Sequence, residues 1–477
     1  MNQQLTGAEA SSYDSGGRTL RRDSVHFFGT VGHSVGIQAP SGGVTFLPAL
    51  MAGIVGLTGP LAFTLAIGAM LFVAYAFVLY TREFASAGSV YAFNGTAMGP
   101  SYGFVSAWLL LFVYIAYAAS VYSSGAAVVG RLLPAGAVPW PWIAVAGWVV
   151  TVVLTYRSIR VSAAVTLAFE AVAVVLTLVV AVAVIVHGGY HGHSLSAKPF
   201  TANGLGFSTI GLGVVFGFTG FSGFEVAATL GEESGTPRRV IPTAMVTALL
   251  VSGGIYVLMS WVETVALPLK TLQMGNVVLP GIASTYVFSG FGTIINVAAI
   301  LSGLGAQFAC ANGATRLLFA LSRDGFGPRS LTRTSPRTGT PTTALAVVAV
   351  ISLVAFLPLV GSTPLGAFSD LATYGADLII MAYLLSVVGA FVWSVRNRKL
   401  NPARLLILLV GAAVLAYILY DTIVTLVAPF DYCMYGAVFT LAVGVLAIVG
   451  NGRLRRRLAD SPLFTVFHEL PASRRTA

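Results

Sequence analysis

The sequence predicts an all-α polytopic membrane protein with about twelve transmembrane helices. Of its 477 residues, 56% are hydrophobic and only 9% are charged, and the mean hydropathy is +0.86. This composition lies far from that of a soluble globular protein. Because a hydrocarbon core about 30 Å thick needs roughly 20 apolar residues per helix, each long apolar run between polar breaks is a candidate span.

The apolar runs divide the chain into regularly spaced segments. We place the spans at residues 25–56, 58–81, 100–130, 140–156, 161–187, 206–231, 241–266, 288–320, 341–360, 370–394, 402–425 and 432–450. The first 24 residues are polar, rich in Ser and Gly, and without an apolar core, so they are expected to form a disordered tail rather than a signal peptide. Both cysteines, Cys310 and Cys433, fall within predicted helices, which indicates no disulfide framework.

The net charge of +10 is explained by topology. If the N-terminus is cytoplasmic and every span crosses, only Arg131, Lys198 and Lys270 of the 26 Lys and Arg residues lie outside the cytoplasm. The positive-inside rule therefore favours cytoplasmic N- and C-termini in the inner (cytoplasmic) membrane. Anionic lipid headgroups are the expected partner of this charge, and nucleic acid is not expected to bind.

Two of the predicted helices contain sequences that weaken them. The first span contains GIQAPSGGVTFLP, in which Pro40 removes a backbone donor. The sixth contains FGFTGFSGFE, with three glycines at every third residue and a carboxylate at its end. Ser41-Gly42 and Ser222-Gly223 are 181 residues apart, each in the first helix of a five-helix unit. Two such units are inserted in opposite orientations, and paired interruptions in inverted repeats are typical of a transporter's midplane binding site.

This repeat sets the domain organisation. A cytoplasmic tail (1–24) precedes the first repeat with helices 1–5 (25–187), and an extracytoplasmic loop (188–205) leads to the second repeat with helices 6–10 (206–395). Helices 11 and 12 (396–450) and a second cytoplasmic tail (451–477) follow. The predicted architecture is thus a five-plus-five inverted repeat with helices 1 and 6 broken.

The ends of the half-helices indicate the chemistry of the ligand. Free N–H groups near Gly43 favour a carboxylate, and unpaired carbonyls near Gly220 favour an ammonium group. A ligand that carries both groups about one carbon apart is an α-amino acid. The alternative for these glycines is close packing of transmembrane helices, where small residues at such spacing are common.

Four sequence motifs resemble the amino acid–polyamine–organocation superfamily, whose five-plus-five fold is shared with bacterial leucine transporters. The first helix matches the pattern small-small-Gly-(Ile/Val)-Phe-x-x-Pro, with Thr45 where Phe is usual. The stretch from Arg82 to Trp108 resembles the signature Pro-Ser-Ala-Gly-Gly-x-Tyr, with Ala85 in place of Pro. The strongest match follows helix six, and RLLFALSRDGFGP (316–328) is the fourth. The matching residues after the sixth helix are Gly223, Phe224, Glu225, Glu232, Glu233, Pro237, Arg239 and Pro242.

The resemblance implies where a substrate binds. Backbone at Ser41, Gly42 and Gly43 would hold a carboxylate, and backbone at Gly220, Phe221, Ser222 and Gly223 an amino group. Tyr114 on helix three is a further candidate, with packing as its alternative. The usual aromatic lid position is Thr219, flanked by Phe218 and Phe221, so either phenylalanine replaces the lid or the pocket is larger.

Carboxylates within spans are candidates for ion coupling, because each costs about 2.5–3.5 kcal/mol at the bilayer centre on insertion scales. Glu225 directly follows the break, and Glu170 lies near mid-membrane on helix five. For Glu170 the alternative is a protonated carboxyl bonded to a neighbouring helix, and Asp377 is a weaker third candidate. Proton-coupled relatives often carry Lys near position 173, which is Ala173 here. A co-transported proton is expected, with sodium as the alternative.

The expected function is secondary transport of an amino acid or related amine, as a proton-coupled carrier or an exchanger. The alternatives are a transporter of a polyamine or other cation and a non-transporting amino acid sensor. A metal-ion transporter of this fold would carry Asp-Pro-Gly in helix one, which is absent. No enzyme motif, cofactor or metal site is expected, and the histidines at 187, 191 and 193 lack a fourth ligand.

We predict that the loop at His191 lies outside the cell and the loop at Arg337 inside it. Single cysteines at these positions, labelled with an impermeant thiol reagent in intact cells, test the orientation. Labelling is expected at position 191 only. Labelling of position 337 but not of position 191 would show that the orientation is the reverse.

Overall fold

A computed structural model describes residues 26–83, 89–134, 136–157, 159–192, 195–231, 234–273, 277–399, 401–424 and 430–459. Within these ranges the elements are helices and no extended strand occurs; an isolated bridge pairs Thr334 with Pro341. The predicted all-α polytopic class is confirmed. The tail at 1–24, the motif residues at 84–88, Glu232 and Glu233, His193 and residues 460–477 lie outside the described ranges.

The α-helices of the described ranges are numbered α1 to α18 in chain order. They are α1 (Phe27–Gln38), α2 (Pro40–Gly43), α3 (Leu47–Val55), α4 (Gly59–Glu83), α5 (Val90–Met98), α6 (Pro100–Gly130), α7 (Trp140–Tyr156), α8 (Ile159–Val186), α9 (Phe207–Phe221), α10 (Pro237–Ala266), α11 (Leu269–Leu272), α12 (Leu279–Tyr286), α13 (Phe291–Arg323), α14 (Thr342–Phe356), α15 (Pro364–Arg396), α16 (Pro402–Val424), α17 (Phe430–Val449) and α18 (Gly452–Ala459).

The helices reproduce the predicted spans, with two of them divided. Among the described residues, ten helical runs are long and apolar enough to cross a membrane, and α7 is a shorter apolar helix. The first predicted span consists of α1, α2 and α3, and the sixth consists of α9 followed by a 3-10 helix at Phe224–Leu230. Helices 1 and 6 are therefore broken, as the sequence predicts.

Several helix boundaries differ from the predicted ones because prolines extend the helices backwards. The prediction begins the seventh span at residue 241 and the tenth at 370, whereas α10 begins at Pro237 and α15 at Pro364. Proline suits the first turn of a helix, where its missing N–H has no partner to lose. The apolar pattern alone does not include these polar first turns.

The core is formed by α6, α13 and α15. Helix α6 packs along both α13 and α15, and α1 packs against α8, α10 and α13. In its most apolar 18-residue window, 83% of α6 is buried, compared with 22% of α16. The helices that carry the two breaks thus face the centre of the molecule, and α16 lies at its periphery.

The short helix α5 is held against this core by one buried amide. The Asn94 side chain donates to Ser106 Oγ at 2.7 Å and to Ser386 Oγ at 3.1 Å, and it accepts from Tyr80 Oη at 3.3 Å. These three partners lie on α6, α15 and α4. Because a buried amide is stable only when its partners are present, Asn94 fixes α5 relative to three spans.

Candidate functional site

The first break begins at Ala39, which adopts the left-handed conformation (φ 38°, ψ 55°) between α1 and α2. Pro40 follows and has no N–H to donate to the carbonyl of Gly36, which lies four residues earlier. The four-residue α2 then gives way to a turn before α3 begins at Leu47. The chain therefore changes direction twice within one membrane span.

The second break is made by Ser222 and Gly223. Helix α9 ends at Phe221, Ser222 is extended (ψ 144°), and Gly223 has a φ of 93° before the 3-10 helix begins. A Cβ atom on Gly223 would lie 2.0 Å from Cγ2 of Ile37. Glycine is needed here for two reasons, the positive φ and the close approach of α1.

Hydrogen bonds join the two breaks directly. Ser34 Oγ donates to the Phe224 carbonyl at 2.7 Å and accepts from the Ala227 N–H at 3.2 Å. Gln38 Nε2 donates to the Phe221 carbonyl at 3.1 Å, and its oxygen accepts from Ser252 Oγ at 2.8 Å. Gln38, the last residue of α1, thus donates to a carbonyl at the end of α9. From the sequence, that carbonyl is expected to bind a substrate ammonium group.

Tyr256 on α10 supports both breaks from one side. Its hydroxyl donates to the Gln38 carbonyl at 3.0 Å. A Cβ atom on Gly43 would lie 2.1 Å from that hydroxyl, and one on Gly220 would lie 3.2 Å from the ring. These two predicted glycines therefore make room for Tyr256. No local pattern in the sequence indicates this role of Tyr256, because its partners lie far away along the chain.

Glu170 on α8 binds the backbone at the first break. Its Oε1 accepts from the Ser41 N–H at 2.9 Å, and its Oε2 accepts from Ser302 Oγ at 2.5 Å. Ser302 in turn accepts from the Gly42 N–H at 3.0 Å. From the sequence, the N–H groups of Ser41 and Gly42 are expected to bind a substrate carboxylate. In the structure they donate to Glu170 and Ser302 instead.

Glu225 lies at the second break, held by two tyrosines. Its Oε1 accepts from Tyr114 Oη at 3.0 Å, and its Oε2 accepts from Tyr383 Oη. Tyr383 also accepts from the Gly223 N–H at 3.2 Å. Tyr114, predicted to face substrate, instead contacts this carboxylate, whereas Tyr117, almost one turn away, lines the cavity described next.

A cavity of about 90 Å³ lies beside the breaks, several times the roughly 10–15 Å³ that one water molecule needs. Of the residues assigned by sequence, Gly42, Gly43, Thr219 and Ser222 line it. Among its described lining residues none is charged, and hydroxyls and Gln38 supply the polar groups. These polar lining side chains are Gln38, Tyr117, Ser120, Ser124, Thr219, Ser222 and Tyr256.

An aromatic pair lines the cavity. Phe46, from the turn after the first break, contacts Phe368 on α15 edge to face, with 4.9 Å between ring centroids, and both line the cavity. Phe218 and Phe221, the lid candidates beside Thr219, are buried and do not line it. The phenylalanines that line the cavity therefore come from the turn before α3 and from α15.

Asp377, the third carboxylate candidate, is buried on α15 and does not line the cavity. In the described ranges no group of three or more His, Cys, Asp or Glu side chains is placed to hold a metal ion. The polar residues that sequence reasoning missed are Gln38, Tyr256, Ser302 and Tyr383.

Comparison with known proteins finds one matching family model and several relatives. The family model described as amino acid permease matches residues 27–449. A low-affinity putrescine importer of Escherichia coli is 27% identical over 353 residues, covering 72% of this chain and 75% of the relative. A branched-chain amino acid permease of Bacillus subtilis is 25% identical over 409 residues, covering 79% and 82%. A cationic amino acid transporter 4 of Mus musculus is 25% identical, covering 61% of this chain and 48% of the relative.

We predict that Gly223→Ala lowers the free energy of unfolding by about 1–3 kcal/mol, because a side chain is strained at that φ and displaces Ile37. Gly53→Ala on α3 is the matched control, since a Cβ atom there meets no atom within 4 Å. Unfolding in mixed micelles measures both variants. Equal stability of the two would show that the second break does not have this conformation.

Proposed function

The chain belongs to the amino acid permease family, and from that premise we propose that it carries an amino acid or related amine across the cytoplasmic membrane by alternating access. It is a multi-pass membrane transporter, not an enzyme. The observation that carries the proposal is the pair of helix breaks, joined by hydrogen bonds and lying beside one cavity. The 27% identical putrescine importer and the 25% identical branched-chain permease support this substrate range.

The proposed substrate site is the cavity next to the two breaks. Gly42, Gly43, Thr219 and Ser222 would contact substrate directly, because they line it. The backbone that shapes the breaks would lie behind the cavity wall and would not contact substrate directly. It belongs to Ser41, Gly220, Phe221 and Gly223. Tyr114 would act through Glu225, since its hydroxyl bonds that carboxylate.

Two aromatic groups near the breaks are the proposed closing elements of alternating access. Phe46 and Phe368 contact each other, and both line the cavity. Tyr114, Phe224 and Tyr383 are fully buried around Glu225. Exposing the site to one side of the membrane would require one of these groups to separate from its partners while the other stays closed.

Glu225 is the proposed coupling residue. Tyr383 contacts both this carboxylate and the N–H of Gly223, so it links the charge to the backbone of the second break. A protonated carboxyl carries a hydrogen of its own that needs an acceptor, and the tyrosine bonds to Glu225 would then rearrange. Proton binding would thereby change the conformation of the break beside the substrate.

Glu225→Gln resembles the permanently protonated residue. We predict that it keeps counterflow of a neutral substrate in proteoliposomes but loses uphill accumulation driven by a pH gradient. With a gradient of one pH unit and the membrane potential clamped at zero, symport of one proton with a neutral substrate allows about tenfold accumulation, because a tenfold ratio corresponds to about 1.4 kcal/mol. The variant is expected to reach a ratio of about one.

Two other carboxylates provide the comparison. Glu170→Gln and Asp377→Asn remove a charge from α8 and α15, and only the variant of the coupling residue should lose its dependence on the pH gradient. Gradient-driven accumulation by Glu225→Gln at the wild-type level would make this carboxylate structural. Dependence on a sodium gradient would identify sodium as the coupling ion. Ligand-induced thermal stabilisation without counterflow would favour a sensor.

A further inference from the structure

The backbone N–H groups from Ser41 to Phe46 are all donated within the chain. Those of Ser41 and Gly42 go to Glu170 and Ser302. Those of Gly43, Val44, Thr45 and Phe46 go to the carbonyls of Ala39, Pro40, Gly42 and Gly43 at 2.8 to 3.2 Å. A carboxylate needs N–H or O–H donors to replace its water, and this stretch of backbone has none to offer.

Both oxygens of Glu170 accept hydrogen bonds, one from the Ser41 N–H and one from Ser302 Oγ. Ser302 Oγ receives the Gly42 N–H and so directs its own hydrogen to Glu170. Glu170 is 3% exposed and is not among the cavity-lining residues, whereas Gly42 is. It therefore reaches the first break from behind the cavity wall, with no cation among its described hydrogen-bond partners.

Two carbonyl oxygens, in contrast, lose their helical donors. The helical donor to the Ile37 carbonyl would be the Ser41 N–H, which goes to Glu170, and the donor to the Thr219 carbonyl would be the Gly223 N–H, which goes to Tyr383. Ile37 and Thr219 both line the cavity. Carbonyl oxygens are acceptors, so they suit an ammonium group and offer no hydrogen to a carboxylate.

We propose that Glu170 takes the place of a substrate carboxylate and makes this carrier selective for small amines that have no carboxylate. The proposal rests on the transport function proposed above and specifies its substrate class. Glu170 acts as a specificity-determining residue through the backbone at Ser41 and Gly42. The apolar lining at Phe46 and Val121 would contact the carbon chain of the amine.

The test uses pairs of compounds that differ only in the carboxylate. They are leucine and 3-methylbutylamine, phenylalanine and 2-phenylethylamine, ornithine and 1,4-diaminobutane, and lysine and 1,5-diaminopentane. Affinities come from thermal-shift titration in detergent, and transport comes from counterflow in proteoliposomes. For wild-type protein we expect the amine of at least one pair to bind at least tenfold more tightly than its amino acid.

Variants then assign the preference to Glu170. Glu170→Gln keeps the size of the side chain and removes its charge, so the ratio of amine to amino acid affinity should fall at least tenfold. Ser302→Ala keeps the carboxylate but frees the Gly42 N–H, and a smaller fall is expected. Asp377→Asn removes a buried carboxylate elsewhere and should leave the ratio unchanged.

The outcomes separate this inference from the proposed function. Wild-type protein that binds and transports the amino acids as well as the amines would overturn the selectivity but not the transport function. An unchanged ratio in Glu170→Gln would also overturn it, and so would a fall in Asp377→Asn as large as that in Glu170→Gln. Counterflow of no compound in the panel, by folded protein, would contradict the proposed function itself.

Discussion

A membrane interior without water is the constraint on which the site depends. An unpaired backbone group in hydrocarbon costs several kcal/mol, so a helix can be broken there only where other groups complete its hydrogen bonds. The two breaks lie in the centre of the molecule and bond to each other through Ser34 and Gln38. The main role of the polar side chains around them is therefore to complete the hydrogen bonds of the interrupted backbone.

This constraint links stability to function. Glu170 accepts from the Ser41 N–H at the first break, and Tyr383 accepts from the Gly223 N–H at the second. Neither N–H is then available to the carbonyl four residues earlier. The carbonyls left without helical donors belong to Ile37 and Thr219, which line the cavity, and in the proposed complex a cationic group would donate to them. Because Tyr383 also bonds Glu225, a change of charge at this carboxylate would alter the same backbone that contacts substrate.

Local signals in the sequence predicted the spans and both breaks. Long apolar runs, Pro40 and the glycine spacing before Glu225 act over a few neighbouring residues, so they can be read without knowing the fold. The partners of the breaks could not be predicted in this way. Ser41 and Glu170 are 129 residues apart, and Glu225 and Tyr383 are 158 apart, so their meeting depends on how whole helices pack.

An experimental structure with an amine bound in lipid nanodiscs would test this arrangement most directly. We expect the amine nitrogen to lie about 3 Å from the carbonyl oxygens of Ile37 and Thr219, with Glu170 still accepting from the Ser41 N–H. A substrate carboxylate on the Ser41 N–H, with Glu170 turned away from it, would contradict the account.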